Sequence, residues 1–181
     1  VDRTVSALEL LADLTHLADR VGSDDRLESE LLNISGAIRS GAFTRARADL
    51  AVVSRDLDRA KDRDRFVKPD LTGTAFLPTL LAAKARLASL DGAPREAARL
   101  YERAVEIWPR EDRIRRWQLK IAQARQLVEL GSLPNARINS LCEAAQAYAA
   151  AGGLVSERDC PLPWAEANLE LGTLLLMLGH R

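Results

Sequence analysis

The side chains in this sequence that could do chemistry are two histidines, two cysteines and a large population of carboxylates and arginines. A nucleophilic serine or cysteine needs a base and an orienting group beside it, and a zinc site needs three or four converging ligands. No His–carboxylate or His–Cys cluster supplies either set. His16 falls near the apolar stripe of the first helical stretch and reads as a partly buried helix residue, while His180 stands beside the end of the chain. Cys142, set among alanines, reads as a small core residue. Cys160 precedes Pro161 in a loop, with no histidine or basic pair nearby to activate the thiol. The carboxylates are interleaved with bases: Asp56, Asp58, Asp62 and Asp64 alternate with Arg55, Arg59, Lys61, Arg63 and Arg65. Pairs three apart, such as Asp56 with Arg59, meet on one helix face, which makes this a solvated face rather than an acid–base site. Gly152-Gly153 lacks the strand and the lysine of a phosphate loop. The expectation is therefore a chain that is not an enzyme and holds no metal or cofactor.

One basic cluster remains: Arg110, Arg113, Arg115, Arg116 and Lys120, flanked by Trp108 and Trp117. Arginines interleaved with aromatics bind single-stranded nucleic acid by charge and stacking. Glu106, Glu111 and Asp112 dilute this patch, and the 26 basic residues are balanced by 26 acidic ones. A protein that lives on phosphate contacts carries a basic excess, so nucleic acid is not the expected partner.

The elements that must position these groups are helices. Ala and Leu supply 29 and 30 of the 181 residues, and aromatics make up 4%. Ala, Leu, Arg and Glu lose little side-chain entropy in a helix, and the strand-favouring types are scarce. Arg outnumbers Lys 22 to 4, a composition typical of a GC-rich bacterial genome. The apolar periodicity predicts eight helices, at about 3–21, 24–40, 43–65, 79–91, 94–108, 112–130, 134–150 and 163–178. Most are separated by glycine or proline. The uninterrupted apolar run Leu174–Leu178 is far short of the roughly 20 residues that span a bilayer. No charged-then-apolar leader opens the sequence, so a soluble, cytoplasmic, all-α protein is expected.

The inter-helix glycines Gly41, Gly92 and Gly131 are each followed five residues later by alanine: Ala46, Ala97 and Ala136. Around the second, the pattern extends through Tyr101, Ala104 and Pro109, where small residues admit a close helix, the aromatic fills the gap and proline ends the helix. This stretch, residues 78–111, resembles the tetratricopeptide repeat family. Residues 112–150 match less fully, with Ser140 in the aromatic position, and 27–60 match loosely, with Leu50 there. Trp117 and Trp164 stand 47 apart, longer than the usual 34-residue repeat, and read as inter-repeat packing residues of a long-helix variant. The resemblance implies an α-solenoid of antiparallel pairs, a right-handed superhelix. Residues 27–181 would form the repeats, interrupted by a loop at 67–78, with an N-terminal helix at 1–26 outside them.

In that family the first helices of successive pairs line a concave groove that receives a peptide. Carried over by counting back from Gly92 and Gly131, the groove positions include Arg86, Ile121, Arg125 and Val128. Two equivalent arginines on one wall would grip an acidic segment; the alternative is that each pairs with a neighbouring acid. Ala82 and Ala122 stand where the family's carboxylate clamp has polar residues, so that version is not expected. The last helix is apolar nearly all round, with Leu174, Leu175 and Leu178 as candidate interface residues. These features predict a protein-interaction module or scaffold, read as part of a larger bacterial protein, whose partner is a protein or acidic peptide. The alternatives are a spacer or homodimerisation element using the last helix, or a regulatory section attached to an effector enzyme or transcription regulator.

Overall fold

A computed structural model describes residues 7–8, 10–15, 17, 25–62, 76–133 and 138–180, with 25, 27–28 and 56–62 described by backbone alone. His16, Ala136, the side chains of the alternating charges from Asp56 to Arg65, and most of the 67–78 loop lie outside this description. Every regular element among the described residues is helical. Helix α1 comprises the helical residues within 7–17. It is followed by α2 (Asp25–Arg39), α3 (Phe43–Asp62), α4 (Phe76–Leu90), α5 (Pro94–Ile107), α6 (Arg113–Ser132), α7 (Ile138–Leu154) and α8 (Pro161–Gly179). Among the described residues the fold is thus all-α, with eight helices packed mostly in sequence order. Among the described residues no helix is long and apolar enough to cross a membrane.

The chain divides into two compact units, residues 1–93 and 94–181. In the first unit, Leu10, Leu14 and Leu17 of α1 join Leu31, Ile34 and Ile38 of α2, Leu50 and Val53 of α3, and Leu80 and Leu87 of α4 in one core. The spacing of three and four within each helix is what places these side chains on one stripe. Asp91 ties the start of α3 to the turn after α4. Its carboxylate accepts hydrogen bonds from Thr44 Oγ1 and Arg47 Nη1, both at 2.7 Å. The Thr44 bond, followed by the Arg47 bond, holds Asp91 below the usual carboxylate range.

The three aligned glycines perform two different tasks. Gly41 and Gly92 have φ of 75° and 74°. At each, the glycine N–H bonds back to the carbonyl three residues earlier, and the next N–H bonds to the carbonyl five residues earlier (Ala42 to Ala37 and Ala93 to Ala88, both 2.8 Å). This double bond pattern terminates a helix through a left-handed residue that glycine adopts without strain. Gly131 lies inside α6 instead, and a Cβ there would sit 2.5 Å from Leu141 Cδ2 on α7. The sequence pattern identified a helix end, whereas the structure uses this glycine for close helix approach, and α6 runs on to Ser132. Gly152 and Gly153 likewise fall within α7, which extends to Leu154 rather than stopping at 150.

In the second unit, α5 turns into α6 through Trp108–Asp112. Asp112 caps α6 by accepting the Arg115 N–H at 3.0 Å, and its other oxygen accepts the Trp108 indole N–H at 3.1 Å. Arg115 stacks 5.6 Å from the Trp108 ring centre. The core of this unit brings together Trp117, Ile121, Ala124 and Leu127 of α6, Leu141, Ala144, Tyr148 and Ala151 of α7, and Ala167 and Leu174 of α8. Pro161 opens α8 at a position where its missing N–H costs nothing.

Candidate functional site

The arginines singled out by the repeat pattern are engaged within the protein. Arg86 is buried in the first unit and donates to Asp13. This removes it from any open wall: a buried guanidinium persists because a carboxylate and hydrogen bonds compensate its lost hydration. Arg125, half-buried in the second unit, reaches from α6 to α8 and donates to Glu166 Oε1 at 2.8 Å and Glu170 Oε1 at 3.1 Å. The phenol of Tyr148 on α7 donates to Glu170 Oε2 at 3.4 Å. Burial opposes the charge on Arg125, but the hydrogen bond from its guanidinium to Glu170, together with both carboxylates, keeps its pKa above the ordinary value. Burial, reinforced by the Glu170 charge, pushes the Tyr148 phenol up to about 12. The Arg125 cluster therefore ties α6, α7 and α8 together and leaves its acids occupied. Ile121 is in the core of the second unit, and Val128 packs against it.

Within the basic cluster, Arg110 and Arg113 are exposed, and Arg115 and Arg116 are half-buried. Trp108 and Trp117 are buried, and Arg115 covers Trp108. Trp164 is half-buried at the start of α8, so it is not a fully enclosed packing residue. Cys142 is exposed on α7, contrary to the core position expected from its alanine neighbours. Leu141 and Ala144 take the inward face of that helix, and Cys142 falls one position off it. Cys160 is half-buried at the cap of α8, and His180 is exposed.

What the second unit does present is a groove of about 1180 Å³ across α5, α6 and α7. Its rim carries Arg95, Arg99 and Glu102 from α5, Lys120 from α6, and Asn139, Glu143 and Gln146 from α7. Ala98, Leu127, Leu130 and Ala147 supply apolar surface between them. Arg95 and Arg99 are exposed, and neither forms an ion pair among the described residues. Lys120 Nζ donates to Gln123 Oε1 at 2.8 Å, which fixes the ammonium along the α6 side. The groove wall thus carries three cations and two carboxylates beside apolar surface. Of these residues the sequence pattern had marked only Lys120. Arg95 and Arg99 were missed because the signal for them is an i, i+4 pair on the exposed face of α5, a spacing ordinary helices also show.

Among the described residues no group of His, Cys, Asp and Glu side chains is placed to hold a metal ion. No protein-family model, curated protein or solved structure matches this chain.

Proposed function

We propose that this chain is a protein-interaction module of tetratricopeptide-like helical pairs that binds an acidic, amphipathic peptide or helix in the α5–α6–α7 groove. The observation that carries this reading is the groove itself: a trough lined by both apolar and polar side chains, with Arg95 and Arg99, which form no ion pair among the described residues, exposed along it. Guanidiniums recognise carboxylates through two parallel hydrogen bonds, and Ala98, Leu127, Leu130 and Ala147 reward burial of a leucine or phenylalanine from the partner. A preformed surface also keeps the ordering cost of binding low. The repeat pattern around Ala97, Tyr101 and Ala104 supports the solenoid part of the proposal, because those three side chains are buried. The groove shares α6 with the one inferred by counting back from the glycines, but its other helices are α5 and α7. The reading is therefore of the same class of function at a relocated site.

The test is a selection of random displayed peptides on the immobilised chain, followed by titration of the enriched peptides. Enrichment of acidic sequences, with affinity falling at least about tenfold for Arg95→Glu/Arg99→Glu and falling with added salt, supports the groove. Absence of enrichment, or equal binding by the variant, removes it.

A further inference from the structure

Helix α8 buries one narrow stripe and leaves the opposite face bare. Ala167 and Leu174, seven apart, point into the core of the second unit. On the other side stand Leu162, Leu169 and Leu176, also spaced by seven, with relative exposures of 80%, 72% and 67%. Three residues after each leucine comes a small one, Ala165, Gly172 and Gly179, and all three are exposed. In heptad terms the leucines occupy a and the small residues d, and Ala167 and Leu174 occupy f, directly opposite the seam.

Among the described residues nothing packs against Gly172. Its φ is not in the left-handed region, and a Cβ there would meet nothing within 4 Å. A glycine inside a helix weakens it relative to alanine, and here it also leaves room for close approach from outside.

We infer that this face pairs with the same face of a second copy, antiparallel, across a two-fold axis near the middle of α8. In an antiparallel pair each a position faces a d position of its partner. Every layer then sets a leucine over a small residue: Leu162 over Gly179, Leu169 over Gly172, and Leu176 over Ala165, each repeated by the two-fold. A parallel pair would instead stack leucine on leucine and glycine on glycine, leaving voids at alternate layers. A surface that is its own complement is what an isologous interface requires. An unrelated partner would have no reason to find the small residues repeated in the register of the leucines. The flanking positions are compatible, because Glu166 is already held by Arg125.

The area fits a modest dimer. A fully exposed leucine offers on the order of 100 Å² of apolar side chain. Together with the exposed part of Leu175, at a flanking g position, the face holds roughly 270 Å² of such surface on one copy. The two copies together bring about 540 Å² of apolar side chain to the seam, beside the small residues between, which is a small interface of the weak, transient kind. Association is therefore concentration-dependent. It is independent of peptide binding, since none of the α8 seam residues lines the α5–α6–α7 groove.

Sedimentation equilibrium of the 181-residue chain tests this. The wild type is expected to move from 19.9 kDa toward twice that mass as concentration rises. Leu169→Lys and, separately, Gly172→Leu are expected to weaken association at least about tenfold, with an unchanged helical signal at concentrations where the wild type is monomeric. Gly172→Leu is the discriminating variant: it adds apolar surface, so a nonspecific sticky patch would associate more strongly, whereas the seam is blocked. A wild type that stays monomeric to about 1 mM, or a dimer that survives both substitutions, overturns the inference.

Discussion

Gly131 and Gly172 both lie inside helices, yet a Cβ at the two positions meets different surroundings. At Gly131 it would overlap Leu141 Cγ and Cδ2 and press on the Leu141 backbone nitrogen at 3.3 Å. Gly131→Ala is therefore expected to destabilise by about 1–3 kcal/mol, the usual cost of overpacking. Gly172→Ala, with open space around it, should stabilise the dilute monomer by about 0.5–1 kcal/mol through helix propensity alone. Chemical denaturation of the two variants reads the opposite signs directly. Trp164, half-buried, is expected to lose about 1–2 kcal/mol on truncation to alanine rather than the larger cost of a fully enclosed aromatic. Tyr148 gives a pH-dependent readout. The native phenol ionises near pH 12 and the unfolded one near 10, so the native state holds its proton longer. Its contribution to stability is complete below pH 10 and is lost as pH rises from 10 toward 12. Absorbance titration of a Tyr101→Phe variant should show the remaining phenol ionising near 12, and Tyr148→Phe should remove this part of the alkaline destabilisation.

Among the helices, the α5–α6 turn depends on one carboxylate. Asp112 satisfies an orphan N–H at the start of α6 and, with its second oxygen, the indole N–H of buried Trp108. A capping residue replaced by alanine costs about 1 kcal/mol, and an unsatisfied buried donor adds a similar amount. Asp112→Ala is expected to destabilise by about 2 kcal/mol, and Asp112→Asn, which keeps an oxygen acceptor, by less. Thermal melts followed by circular dichroism separate the two. The α6–α7–α8 arrangement depends in the same way on Arg125, whose two carboxylate partners come from successive turns of α8. That pairing is half-exposed, so it fixes the register of α8 more than it adds stability.

For the whole molecule, the two compact units each close their own core, and charge is balanced across the chain. A net charge of zero at neutral pH gives no long-range repulsion between copies. Solubility is accordingly expected to be lowest near pH 7 and to rise as pH moves away from it, measured by light scattering. Leu169→Lys should raise the solubility at pH 7, because it adds charge at the centre of the exposed α8 face.

The all-α class and the identity of nearly every helix were determined by local properties: Ala and Leu content, three-and-four spacing, and glycine or proline at the ends. The left-handed caps at Gly41 and Gly92 were legible for the same reason, since a helix end is decided by residues adjacent in sequence. Gly131 was not, because its neighbour Leu141 is brought close only when α6 packs on α7. The fate of the two arginines was likewise a tertiary matter. Arg86 finds Asp13, 73 residues away, and Arg125 finds Glu166 and Glu170, more than 40 residues on. A repeat pattern places a guanidinium on a helix face, but whether that face meets solvent or an acid depends on which helix covers it. The apolar character of α8 was plain in its sequence. Only packing decided that Leu174 turns inward while Leu162, Leu169 and Leu176 remain outside, because a helix apolar all round carries no internal signal for which stripe its own core will take.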